Sequence, residues 1–141
     1  IASNRWTIEL YVFTVSKGGN RKIYFLFKLM ANVYKNIQAV VNASGSDVSM
    51  YTSPDATTSI IKTIKLFNTH GSALDVTSKV FDASSSTDFE YEVSNVLASN
   101  GVDLLTFNNI LILEAGDILK MQTTQTNVIK MTASVLQISR S

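Results

Sequence analysis

From Val33 to the C-terminus, apolar and polar residues alternate in short runs, and clusters of Ser, Asn, Asp and Gly interrupt those runs every ~8–12 residues. A period of two is the period of a half-buried strand, and a helix cannot satisfy it. The spacing predicts strands over 33–42, 48–51, 59–68, 73–82, 89–93, 102–105, 109–113, 118–123 and 127–139. In 59–68, Ile60, Ile64 and Leu66 are expected on one face, with Lys62 on the same side. In 73–82, Leu74, Val76, Ser78 and Val80 share a face opposite Asp75, Thr77 and Lys79. In 127–139, Ile129, Met131, Ala133 and Val135 face away from Val128, Leu136 and Ile138. Only 93–100 competes as helix, and it is short and rich in Ser and Asn. About seven to nine short strands in one domain read as an all-β, antiparallel β-sandwich.

The first 34 residues have a different character. They hold seven of the 13 aromatic residues, and five basic residues against Glu9 alone. From Lys35 onward the balance is seven basic to ten acidic. Two organisations fit. In one, residues 1–29 form an N-terminal arm, a β-hairpin turning at Lys17-Gly18-Gly19-Asn20, which reaches an acidic neighbouring subunit. In the other, the β-sandwich domain is 30–141, Met30 looks like a translation start, and 1–29 reflect the choice of reading frame. The apolar stretches 6–15 and 23–30 are each shorter than the ~20 residues a membrane helix needs. They show no cleavage signature of a signal peptide. Synthesis in the cytosol, with no membrane partner, is expected.

Composition removes several classes of function. There is no cysteine, so thiol catalysis, disulfide scaffolds and Cys-based metal sites are excluded. A net charge of +1 does not support nucleic-acid binding through bulk positive charge. Ser, Thr and Asn supply 42 of the 141 residues, which gives a neutral, hydrogen-bonding exterior suited to packing against many copies.

Each candidate for chemistry meets a plainer reading. His70 with Ser72 and Asp75 has the residue types of a hydrolase triad, but no nucleophile-elbow motif accompanies them, and a loop histidine is the expectation. Asp82, Asp88, Glu90 and Glu92 could attract calcium, yet they lack a metal-loop spacing and read as the solvent side of a strand. Glu114 and Asp117 bracket Gly116 in a turn, which they are expected to stabilise. Gly18-Gly19, Gly45 and Gly116 match no phosphate-binding pattern. Lys62, Lys65 and Lys79 could make a small basic patch, offset by Asp75 and Glu92. No catalytic, metal-binding or cofactor-binding residue is assigned, and the chain is read as a non-enzyme.

Four stretches carry a family resemblance: YTSPDATTSIIKTIKLFNTHGSALDVTSKVFD (51–82), SNVLASNGVDLL (94–105), LILEAGDILKMQ (111–122) and VLQIS (135–139). In that order they resemble small structural virion proteins of tailed bacteriophages, frequent in marine and cyanobacterial phages. The resemblance spans residues ~33–141. It implies a β-sandwich subunit present in many copies on a virion: a head decoration protein or a neck, head–tail component. A tail, baseplate or fibre adaptor with a receptor- or carbohydrate-binding role is the alternative. Tyr51 and Phe107, few aromatics outside the strand cores, weaken the sugar-binding version. The implied partners are the chain itself, as a homo-oligomer such as a trimer, and capsid, portal, neck or tail subunits. The arm would add its strands to a neighbour's sheet edge.

Overall fold

The structure is a computed structural model. It describes residues 5–17, 20–105 and 110–140, with side chains over 31–92, 97–101 and 110–139. The described residues form ten strands: β1 (Arg5–Lys17), β2 (Asn20–Val40), β3 (Val48–Thr52), β4 (Thr57–Asn68), β5 (Leu74–Asp82), β6 (Thr87–Leu97), β7 (Val102–Leu105), β8 (Leu111–Leu113), β9 (Ile118–Thr123) and β10 (Ile129–Arg140). All pairings are antiparallel. One sheet of six strands runs β1-β2-β10-β4, with β7 and β8 following one another along the free side of β4. The second, of four strands, runs β3-β9-β5-β6. The alternating runs therefore build the antiparallel sandwich that their period predicts.

The strand bounds follow the turn residues closely. β9 occupies the predicted 118–123, and β6 continues through 93–97 as strand rather than helix. β2 runs unbroken through Met30, so the shift in composition falls inside a single strand. Backbone pairing depends on the polypeptide's own N–H and C=O groups, and a change from basic to acidic composition does not interrupt it.

Between the sheets lie Ile61, Ile64 and Leu66 of β4, Val76 of β5, Leu119 and Met121 of β9, and Ile129 and Met131 of β10, all essentially inaccessible. The predicted faces of β5 and β10 are the observed ones, and Gln137 continues the buried side of β10. Val128, expected on the outer side, precedes β10 and packs against the core. β4 differs. Thr57, Ser59 and Ile61 point inward before Lys62, whereas Ile64, Leu66 and Asn68 do so after it. Ile60 is thus on the outer side, not with Ile64 and Leu66. The cause is a β-bulge: Val135 pairs with Ile61 and Ser134 with Thr63, which leaves Lys62 as the unpaired extra residue.

Buried polar groups are bonded almost throughout. Tyr51 Oη lies 2.8 Å from Ser59 Oγ and accepts from Gln137 Nε2 at 2.8 Å, and Ser53 Oγ lies 2.8 Å from Ser59 Oγ. Tyr51 belongs to the core, contrary to its expected place outside it. Among the described residues Thr123 Oγ1 is buried without a hydrogen-bond partner. Thr123→Val replaces that hydroxyl with a methyl of similar shape and is expected to stabilise the fold by about 1 kcal/mol. A rise in the urea midpoint at unchanged slope would register it.

Candidate assembly interface

β1 and β2 pair in one uninterrupted register from Arg5↔Asn32 to Lys17↔Asn20. The expected hairpin is therefore present, and its turn residues Gly18 and Gly19 lie outside the described residues. β10 pairs with β2 only from Met30 to Val40. Positions 20–29 are thus paired to β1 alone, and no strand of the second sheet packs appreciably on β1. The result is a two-stranded ribbon that continues past the sandwich for about 30 Å, at ~3.4 Å per residue.

The pleat phase of the ribbon can be read from the body. Ile37 and Ala39 pack against the core. Positions 23, 25, 27, 29 and 31 stand on that same side of β2. On that side the register pairs Ile8↔Leu29, Leu10↔Phe27 and Val12↔Phe25 are apolar, Thr14↔Ile23 is half so, and Ser16↔Arg21 at the tip is polar. The opposite side is mixed: Tyr11↔Leu26 and Phe13↔Tyr24 stand between Glu9↔Lys28 and Val15↔Lys22, the pairs that carry charge. The core-facing side of the six-stranded sheet therefore extends into the ribbon, beyond the strands that cover it in the body. At the tip stand Lys17, Arg21 and Lys22.

Three loops close the sandwich at the end from which the ribbon leaves, and Asp117 ties them together. Its Oδ1 accepts from Ala83 N at 3.0 Å and its Oδ2 from Glu114 N at 2.9 Å. Its backbone carbonyl accepts from Ser53 N at 2.9 Å. Gly116 takes a φ of +86°, where a side chain would be strained. The turn role expected of Asp117 is the observed one; Glu114 contributes its backbone there. Asp55 and Glu114 are exposed at this end, and Asp82 and Asp88 lie beside them. The end is acidic, and Lys120 offsets Asp88 through a 2.7 Å ion pair.

The outer face of the six-stranded sheet carries a cross-strand row, Tyr34↔Leu136↔Ile60↔Ile112. Tyr34 is 48% exposed and Ile112 57%. The bulge raises Lys62 beside this row, with its Nζ 5.9 Å from the Tyr34 ring centroid. Tyr34, Asn36, Lys62, Ser134 and Leu136 line an open depression of about 400 Å³.

The remaining sequence candidates have structural employment. His70 Nδ1 accepts from the backbone N of Ser72 at 3.2 Å, a local turn bond, and Asp75 sits exposed on β5. No triad is assembled. Gly71 does not adopt the left-handed conformation open to it. Its loop is instead organised by Asn68, fully buried, whose Nδ2 donates to the carbonyls of Ser72 (3.0 Å), Leu97 (3.2 Å) and Ala98 (3.2 Å), while Oδ1 accepts from His70 N at 2.8 Å. Sequence reading passed over Asn68; the signal was an amide at a position where the alternation 64, 66, 68 calls for a buried side chain. Among the described residues no three acidic or histidine side chains gather as a metal site. Asp82 accepts from Ser84 and Ser85, and the Ser84 hydroxyl foremost holds its carboxyl below the usual range. The lysines do not form a patch. Lys62 and Lys65 stand on β4 in one sheet, whereas Lys79 is on β5 in the other and pairs with Asp47 at 3.1 Å. That bond raises the Lys79 ammonium above its ordinary value.

Burial pushes the Tyr91 phenol up to about 12, with Glu92 adding to the shift. A raised pKa means that the folded state holds the proton more tightly than the unfolded one. Its contribution is complete below pH ~10 and is lost as pH rises toward ~12. Tyr91→Phe is expected to flatten the fall in Tm across that window, as thermal melts at stepped pH would show.

No family model matches the sequence, and no curated protein matches it. Distant likenesses among solved structures include a chain of the extra small virus of the giant freshwater prawn Macrobrachium rosenbergii, solved as a virus-like particle. It is 11% identical with a TM-score of 0.45, over 77% of this chain and 79% of that one. A chain of infectious bursal disease virus, Gx strain, is 10% identical with a TM-score of 0.49, over 84% of this chain and 35% of that one. A Clostridium thermocellum endo-1,4-beta-D-xylanase, complexed with xylohexaose, is 11% identical with a TM-score of 0.34, over 96% of this chain and 26% of that one.

Proposed function

We propose that this chain is a non-enzymatic structural subunit of a tailed-bacteriophage virion, made in the host cytoplasm and assembled in many copies as a head decoration or neck component. In this reading residues 30–141 are the body and 1–29 the arm. The observation that carries the reading is the ribbon, whose apolar, core-facing side runs past the last strand able to cover it. A subunit built to be completed by a neighbour has that form. A body rich in Ser and Thr supports repeated docking by shape, and symmetry multiplies each small contact. The phage assignment rests on the order of the four motifs over ~33–141. Copies would associate with one another, as a trimer or another closed ring, and with capsid, portal, neck or tail subunits.

Imaging of intact particles with the chain labelled tests this. Copies spread over the shell lattice are the expected result for decoration, and a single ring at one vertex is expected for a neck component. A particle without the chain would refute the proposal. One observation favours the second reading, a fibre or baseplate adaptor that binds carbohydrate. Half-exposed Tyr34 stands in an open depression among Asn36, Lys62 and Ser134, and an aromatic ring amid hydrogen-bonding groups can stack on a sugar. Reproducible binding on a glycan array, abolished by Tyr34→Ala, would establish it.

A further inference from the structure

We infer that two copies of this chain join through their β1–β2 ribbons, face to face and antiparallel, with the basic tip of each set against the acidic sandwich end of the other. This rests on the reading of the chain as a self-assembling subunit and names the contact. An isolated two-stranded hairpin is marginal in water, so the ribbon requires a second layer. In the body that layer is the β3-β9-β5-β6 sheet, and it does not extend beneath β1. A second ribbon has the right length and the same apolar side. Stacked at the usual ~10 Å, two such ribbons make a small sandwich of their own.

Charge decides the direction. A parallel stack would set Lys17, Arg21 and Lys22 of one copy against the same three cations of the other. An antiparallel stack about a two-fold axis carries each tip ~30 Å along, to the end where its partner presents Asp55, Glu114, Asp82 and Asp88. Arg5 and Arg140 at the ribbon's root and Lys120 beside Asp88 offset part of that charge and leave the end acidic. Pairing of free β1 edges would also be two-fold, but it would leave the apolar side bare. Rings formed through another surface could be linked by this contact.

The test is self-association of the purified full chain by sedimentation velocity, in low and high salt. The native chain is expected to dimerise, more weakly in salt. A tip variant (Lys17→Glu, Arg21→Glu, Lys22→Glu) and an end variant (Asp55→Lys, Glu114→Lys) should each lose affinity by about tenfold or more. Mixed together they should recover it, because in the mixed pair each tip again meets an end of opposite sign. Phe27→Glu should give monomers, whereas Leu26→Glu, the adjacent residue on the other side of the ribbon, should stay within about threefold of native. A monomeric native chain, a mixture that fails to recover, or equal effects of the two glutamates would overturn the inference. A monomeric chain that imaging nonetheless finds on the particle would end this inference and leave the structural role standing. A dimer absent from the particle would do the reverse.

Discussion

Deleting Lys65 is expected to cost the fold about 3 kcal/mol more than deleting Lys62, although both lysines are exposed on the same strand. Lys62 is the extra residue of the bulge. Removing it brings Ile61 and Thr63 into sequence opposite Val135 and Ser134, which is already their register. Thr57, Ser59, Ile61, Ile64, Leu66 and Asn68 then alternate without a break, and every inward residue keeps its place. Removing Lys65 offers no such solution. The bulge can dissolve to hold Ile61 and Leu66 inside, but Thr63 then takes the inward position of Ile64 and Ile64 turns outward. The loss is one fully buried isoleucine together with a hydroxyl forced into the core. Urea unfolding of the two deletions and the parent would measure it. Equal midpoints for the two deletions would contradict the bulge assignment.

Asn68→Asp, a single-atom change, is expected to cost the fold about 3 kcal/mol or more near neutral pH. The side chains are nearly isosteric, so packing is not at issue. The Nδ2 that donates to three carbonyls becomes a carboxylate oxygen facing the same three at 3.0–3.2 Å, with no access to water. The remaining oxygen keeps its bond from His70 N. Protonation restores one donor, so the folded state of the variant raises the carboxyl's pKa. Its deficit should therefore shrink as pH falls toward the ordinary carboxylate pKa of about 4, the opposite of an ordinary salt-bridged acid. A melt series from pH 4 to pH 7, with Asn68→Ala as the size control, separates charge from lost bonding.

The period of two made most of this fold legible from the chain alone, because each strand buries one side and the alternation records which. It located β9 to the residue and assigned the faces of β5 and β10. It failed on β4 because Ile60 and Ile61 are both apolar, and a bulge changes phase without changing composition. The proposed basic patch failed for another reason: which strands become neighbours is settled by pairing across the whole chain, and nothing local to Lys62, Lys65 and Lys79 reveals that they divide between two sheets. The role of Asp117 was legible because it acts within its own turn and on a loop close in space. Asn68 binds loops some 30 residues away, and its importance becomes visible only when those loops are brought together. Of the candidate interface, the hairpin and the charge contrast along the chain could be read from residue order. The continuity of its apolar side with the core could not, since that requires the register of β2 against β10.

That single long strand also has a mechanical consequence. Force applied to the ribbon along its axis passes directly into β2 and reaches the body along the ladder from Met30↔Arg140 to Val40↔Lys130. The hydrogen bonds of an antiparallel ladder lie perpendicular to the strands, so a pull along β2 loads them side by side in shear instead of peeling them one after another. Rupture then requires many bonds to fail together. A subunit tethered by this arm would hold under tension until the body itself gives way.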